Sequence, residues 1–323
     1  MNSLTLQFFH ALLAMTFGVT TAYAQAPYPD RTIELVVPQP AGGVNDLPAR
    51  LLADKLQKRY GQPVIVVNKP GAGGNIGAQA VARAKPDGYS LLLNGSGMVF
   101  NAALGTTPFK FPQDVSVIAK IADFPSVVTI RADIPVTTVE EFAKWTQQNP
   151  GKANFGSAGV GSGGHVFGSA FMKETGATMT HIPFVGGPAA VNGMLSGDIA
   201  MFIAPMGLVK AYIDSGKLRA LAVTSDRRLP ALSSVPTMAE AGYPKFVAGQ
   251  WFGVFGPAGM PVAIVEKLNR DIGEILADSN INQELARAGI IIATEDPSSF
   301  RKKIEEEVVY WTKMVKETGV RKD

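Results

Sequence analysis

Five side chains in this sequence, Ser157, Ser162, His165, His181 and Asp46, have types that could do chemistry. A serine beside a histidine suggests a nucleophile and its base, which in a sharp strand-to-helix turn needs glycines two positions before and after the serine. Ser157 is preceded at that distance by Phe155 and Ser162 by Val160, so neither fits. Beyond residue 24 the only histidines are His165 and His181, in no ligand spacing with a carboxylate, and there is no cysteine. A zinc site would lack its third ligand. His165, at a helix start, can contact a ligand or simply cap and pack; His181, mid-strand, reads as structural. Asp46 could meet a ligand group, but a carboxylate in the first turn of a helix is already explained by the helix dipole.

Glycine is the more informative residue. Four glycine-rich segments, "PAGGVND" (40–46), "PGAGGNIG" (70–77), "GSAGVGSGGH" (156–165) and "FVGGPAA" (184–190), each lie between an expected strand and an expected helix. The second resembles a phosphate cradle, yet no Lys-Ser/Thr follows Gly77 and the sixth position from Gly71 is Ile76, so both nucleotide motifs fail. In the third, Gly159, Gly161 and Gly164 satisfy G-x-G-x-x-G, but the stretch about twenty residues on, "HIPFVGG", has no acidic residue for a ribose. Glycine in such loops lets the backbone approach a ligand closely. The following helix start adds unpaired N–H groups and a partial positive end, which can hold an anion without lysine or arginine.

These loops need a framework. Apolar, β-branched runs at 32–38, 63–68, 89–94, 180–184, 199–204 and 218–224 lack polar alternation, as strands buried on both faces do. Between several of them lie helical patterns: Leu47, Leu51, Leu52 and Leu56 form one stripe ending at Gly61. Thr138 and Glu141 open another helix as a capping box, and the last runs from Asp296 and Pro297 to Gly319. This alternation points to an α/β fold with parallel sheets. Segments 122–136 and 225–246 interrupt the rhythm, suggesting an inserted domain with two connections.

Composition narrows the function. The apolar stretch "FFHALLAMTFGVTTAYAQA" is of signal-peptide length, ends in an A-x-A site at Ala22–Ala24 and has no Lys or Arg before it. It is expected to be a secretory leader cleaved after Ala24, too short for a membrane span. About 300 residues then remain, enough for two domains. A net charge of +3 with scattered basic residues argues against nucleic acid or a membrane surface as partner. The absence of cysteine excludes disulfides and thiol chemistry.

In order along the chain, "IELVVPQPAGGVNDLPARLLADKL", "GQPVIVVNKPGAGGNIGAQAVARAKPDGYSLLL", "NFGSAGVGSGGH", "VGGPAAVNGMLSGDIAMF", "GKLRALAVTS" and "WFGVFGPAGMP" make a set that resembles the tripartite tricarboxylate transporter substrate-binding proteins, the Bug receptors. The likeness runs through essentially all of the chain after the leader. It implies a periplasmic receptor of the type II periplasmic binding protein architecture: two α/β lobes with mainly parallel sheets, joined by two crossover segments and closing on a small organic carboxylate. Lobe one would comprise 25–124 and 250–323, and lobe two 125–249. The expected partners are that ligand and, transiently, integral membrane transporter subunits; no cofactor, metal or nucleic acid is implied, and the receptor would be a monomer and not an enzyme. Carried over by position, Gly42, Gly43 and Asp46 fall in the first ligand loop, Gly74 and Asn75 in the second, Ser157, Ser162 and His165 in the lobe-two loop, and Gly186 and Gly187 at its next helix start. The chain departs from the family pattern at Ile203 and Ala204, where many relatives carry Asp-Asn after the phenylalanine, and around Gln39 and Ala41. Two rival functions remain at this point, a secreted hydrolase using Ser162 and His165, and a ligand-loaded sensor for a membrane kinase.

Overall fold

The computed structural model describes residues 28–246 and 248–320; the expected leader lies outside them. The first sheet takes β1 (Ile33–Val37), β2 (Val64–Asn68), β3 (Ser90–Gly95), β4 (Val115–Asp123), β10 (Trp251–Pro257) and β11 (Ile291–Glu295), in the order β11-β4-β10-β3-β1-β2. The second takes β5 (Ser126–Arg131), β6 (Asn154–Ser157), β7 (Thr180–Pro183), β8 (Met201–Pro205) and β9 (Leu218–Val223), in the order β7-β6-β8-β5-β9. The chain passes between the sheets twice, from Asp123 to Ser126 and from Val223 to Trp251.

The sheets are mixed, which corrects the expectation of mainly parallel ones. β1 pairs parallel with β2 and β3, and β6 with β7 and β8, but β10 is antiparallel to both its neighbours, as is β5. The reason is topological. Strands β1, β3, β6 and β8 end at the gap between the lobes, whereas β5 and β10 each begin there, because each receives the chain from the opposite lobe. They must run the other way. Strand β11, antiparallel to β4, completes the first sheet.

Ten helices cover the faces: α1 (Asp46–Tyr60), α2 (Asn75–Ala82), α3 (Gly97–Ala103), α4 (Val139–Gln148), α5 (Gly163–Thr175), α6 (Gly187–Ser196), α7 (Met206–Asp214), α8 (Val262–Leu276), α9 (Ser279–Arg287) and α10 (Pro297–Thr318), among the described residues. Their ends follow local chemistry. Thr138 and Glu141 form the capping box of α4, Asp296 caps α10, and left-handed glycines stop α1 at Gly61 and α10 at Gly319. None of these helices is long and apolar enough to cross a membrane.

The lobes meet through hydrogen bonds and aromatic rings. Phe124 N–H donates to Gln250 C=O at 2.7 Å, and Thr224 Oγ1 donates to Ala248 C=O at 2.8 Å, tying the crossing strands together. Behind them Phe100 of α3 meets Phe167 of α5 edge-on at 5.3 Å between centroids, and Trp311 of α10 packs on both at 5.4 Å. In lobe two, α5 comes so near β6 that a Cβ at Gly168 would lie 2.2 Å from the Phe155 ring. Gly273, inside α8, has nothing within 4 Å.

Two glycine substitutions therefore should part in sign. Gly168→Ala overpacks the α5–β6 contact and is expected to cost about 1–3 kcal/mol, whereas Gly273→Ala should gain about 0.5–1 kcal/mol from reduced backbone freedom. Urea unfolding midpoints read both; equal effects would contradict the packing described.

Candidate functional site

Where the strand ends of the two lobes face each other lies a cavity of about 680 Å³. Lobe one contributes the turns after β1 (Pro38–Asn45), after β2 (Pro70–Gly74) and after β3 (Asn94–Gly97). Lobe two contributes the turn after β6 (Ala158–Gly164), the start of α6 (Gly186–Pro188) and the end of β8 (Phe202, Ile203 and Pro205). Among the described residues no lysine, arginine, histidine, aspartate or glutamate lines it.

Six helices, α1, α2, α3, α5, α6 and α7, begin at this wall, at Asn45, Gly74, Ser96, Ser162, Gly186 and Pro205, and none has a side-chain cap. By contrast α4, α9 and α10, which start elsewhere, are capped by Thr138, Asp278 and Asp296, although α8 starts at Pro261 without a cap. The first N–H groups of a helix have no partner within it. Here several such sets, each at a partly positive end, meet in one uncharged space. Ser162 Oγ adds a buried hydroxyl with no hydrogen-bond partner.

Of the residues singled out from the sequence, Gly42, Gly43, Gly74, Ser162, Gly186 and Gly187 line the cavity. Asp46, Asn75, Ser157 and His165 do not; they brace the loops from behind. Asp46 accepts from Gly42 N–H at 3.0 Å, from Arg50 Nε at 2.8 Å and from Asn68 Nδ2 at 3.0 Å. The Arg50 guanidinium is the main reason its carboxyl is held down to about 2. Asn75 donates to Thr106 C=O and accepts from Asn101 Nδ2, which also donates to Gly73 C=O and so holds the second loop. Ser157 lies fully buried, 2.7 Å from His181 Nε2, and His165 Nδ1 accepts from Gly161 N–H at 3.1 Å. The Ser162–His165 pairing that a hydrolase would need is absent, because Ser162 Oγ has no partner and His165 Nδ1 is occupied.

Other residues at the wall escaped the sequence reading. Asn94, Asn101 and Gln250 supply amides, and Phe100, Phe124, Phe202, Trp251 and Phe252 supply aromatic surface. The signal for Asn94 was the run "NGSG" (94–97), a fifth glycine-rich strand-to-helix turn. Trp251 lines the cavity while nearly fully buried. Its indole N–H donates to Glu307 Oε2 on α10 at 2.8 Å. Burial pushes the Glu307 carboxyl up to about 7, against the Trp251 hydrogen bond and the Lys303 and Lys120 charges, which lower it.

Two sheets with strand ends facing across an uncharged cavity and two chain crossings behind it define a two-lobed solute-binding protein of the periplasmic type. Residues 48–320 match the family model described as the tripartite tricarboxylate transporter family receptor, and the chain belongs to that family. It is 36% identical to protein BugT of Bordetella pertussis over 95% of each chain. Its fold is that of the periplasmic binding protein BugD, at 33% identity and a TM-score of 0.77 over 92% of this chain and 100% of that one. R. palustris Rpa4515, solved with adipate, is 31% identical with a TM-score of 0.79, covering 91% of this chain and 99% of that one. MatC from Rhodopseudomonas palustris, solved with bound malate, is 29% identical with a TM-score of 0.76, covering 89% and 100%. The family is one of binding proteins, not enzymes.

The Glu307 shift carries a pH dependence. Between the ordinary carboxyl value of 4.5 and about 7 the folded chain binds more protons here than the unfolded one, so this group's contribution to stability falls as pH rises through that window. Glu307→Gln should therefore gain melting temperature relative to the parent more at pH 8 than at pH 5. The same difference at both would refute it.

Proposed function

We propose that this protein is an extracytoplasmic solute receptor, exported by cleavage after Ala24, that binds a small organic carboxylate between its lobes and delivers it to the membrane subunits of a tripartite tricarboxylate-type transporter. One observation carries the reading: several uncapped helix starts and one unpartnered hydroxyl converge on a cavity free of charged side chains. An anion there meets no carboxylate among the described lining residues. The adipate and malate held by two relatives support the choice of carboxylate.

The ligand contacts in this reading come from the loops of Gly42, Gly43, Gly74, Ser162, Gly186 and Gly187, where glycine gives close approach and the N–H groups of the helix starts that follow supply the donors, with Asn94 as a further amide. Asp46, Asn75, Ser157 and His165 serve the site by fixing the loops. Four to six neutral donors at about 1.5 kcal/mol each give a gross gain of roughly 6–9 kcal/mol, and micromolar affinity corresponds to about 8 kcal/mol. Desolvation and ordering take back part of this, which contact with the aromatic wall offsets. Closure of the lobes would exclude water and strengthen each donor.

A thermal-shift screen with adipate, malate, citrate, benzoate and amino acids should give a rise in melting temperature for at least one acid. Ser162→Ala should then weaken that acid by about five- to tenfold, equivalent to about 1–1.4 kcal/mol. Silence for every acid with a response to sugars or nucleotides would sink the assignment. Co-purification of transporter subunits from membranes in the presence of the responding acid tests delivery.

A further inference from the structure

The lobe-two loop, Ser157 to His165, is held by a circuit of hydrogen bonds and one ring stack. Gly159 C=O accepts both Ser157 O–H at 2.9 Å and Ser162 N–H at 3.1 Å, and Gly159 N–H donates back to Ser157 Oγ at 3.1 Å. His181 Nε2 lies 2.7 Å from the same Oγ. A hydroxyl has one proton and two acceptor positions. A carbonyl can only accept, so with the Ser157 proton directed at Gly159 C=O the His181 contact is a donation from Nε2. His165 Nδ1 accepts Gly161 N–H, so its proton is also on Nε2. The two neutral rings stack at 3.8 Å and 7°, with Phe155 behind His181 at 4.9 Å.

We propose that His165 and His181 are positioning residues that lock the lobe-two loop in its ligand-ready form only while both rings are neutral. The proposal rests on the reading of the cavity as the carboxylate site. His165 fixes Gly161, which has a left-handed φ of +75° and lines the cavity. The next residue, Ser162, presents its unpartnered hydroxyl and starts α5. His181 fixes Gly159 through Ser157, and Gly159 holds Ser162 from the other side. Protonating His165 at Nδ1 would set its N–H against that of Gly161, and protonating His181 as well would place two cations face to face.

The groups packed on the pair are Phe155 and Ser157 from β6 and Gly161 from the loop; no acidic, lysine or arginine side chain pairs with either ring among the described residues. Burial lowers both histidines from the ordinary value of 6.5, and the His165 charge further lowers His181, to about 4. A depressed imidazole favours the neutral form, so the lock holds at neutral pH and weakens as pH falls below the ordinary value of 6.5.

The test combines ring and loop measurements on the ligand-free full chain with titrations of adipate and benzoate. Histidine nitrogen NMR should show both rings as Nε2–H tautomers titrating below 6.5. The Gly161 amide should exchange about tenfold faster in His165→Leu than in the parent or in His165→Gln, which keeps an acceptor. As pH falls below 6.5 the parent should lose more affinity for whichever probe binds than His165→Gln does, because protonation of the probe itself weakens both equally. His165→Gln should bind it at pH 7 within about threefold of the parent and lose less at low pH. A Nδ1–H tautomer on His165, equal Gly161 exchange in all three proteins, or equal acid loss in parent and His165→Gln overturns the proposal. If neither probe binds, the carboxylate reading suffers while the tautomers and Gly161 exchange still decide the lock.

Discussion

A helix start leaves donors that must find an acceptor, and much of this structure follows from where those donors are left open. Elsewhere the chain spends side chains on them: Thr138, Asp278 and Asp296 each turn back to cap their own helix. At the cavity it uses glycine, serine, asparagine or proline and no cap forms. An uncapped start in apolar surroundings costs about 1 kcal/mol relative to a capped one. Repeating that cost around one cavity makes sense when a ligand supplies the acceptor. Strand direction serves the same end, because a strand running towards the gap delivers the following helix to it with its N-terminus first.

The two crossings bind the lobes without filling the space between them. Ser126, Thr224 and Gln250 join the crossing strands by hydrogen bonds, with Gln250 Nε2 donating to Ser126 Oγ at 2.8 Å. The contact behind them, Phe100 with Phe167 and Trp311, is made of ring edges and faces. Such contacts are worth about 0.5–1.5 kcal/mol per pair beyond the area they bury. Phe100 belongs to both this contact and the cavity wall, so the cavity and the lobe contact share a residue.

The sequence was most legible where a residue type has one local use. Gly61 and Gly319 end helices because the left-handed conformation suits glycine, and Thr138 with Glu141 capped α4 as their spacing implied. Sheet order was less legible, since an apolar run such as "WFGVFGP" does not record which way its strand will run. At the site, glycine loops could be read because glycine itself marks close approach. His165 and Asp46 could not be placed, because the chemistry of each side chain permits either a ligand contact or a brace. The choice is made by partners that spacing alone does not reveal: Gly42, Arg50 and Asn68 for Asp46, and Gly161 and the His181 ring for His165.

An uncharged cavity also bears on selectivity. A lysine or arginine would attract any anion at long range, and much of the gain would be indifferent to shape. Neutral N–H groups act only at hydrogen-bond distance and in defined directions, so a carboxylate displaced by an ångström loses most of them. The same wall carries Phe202, Trp251, Phe252 and Ile203. Aromatic and aliphatic surface favours an apolar body but offers a polar substituent no partner, leaving it desolvated at a cost of about 1–3 kcal/mol. Discrimination in such a site comes from which ligand groups are left without a partner. With Ile203 at the strand end, an ammonium group there would meet no carboxylate from that position, which disfavours amino acids relative to acids with an apolar body.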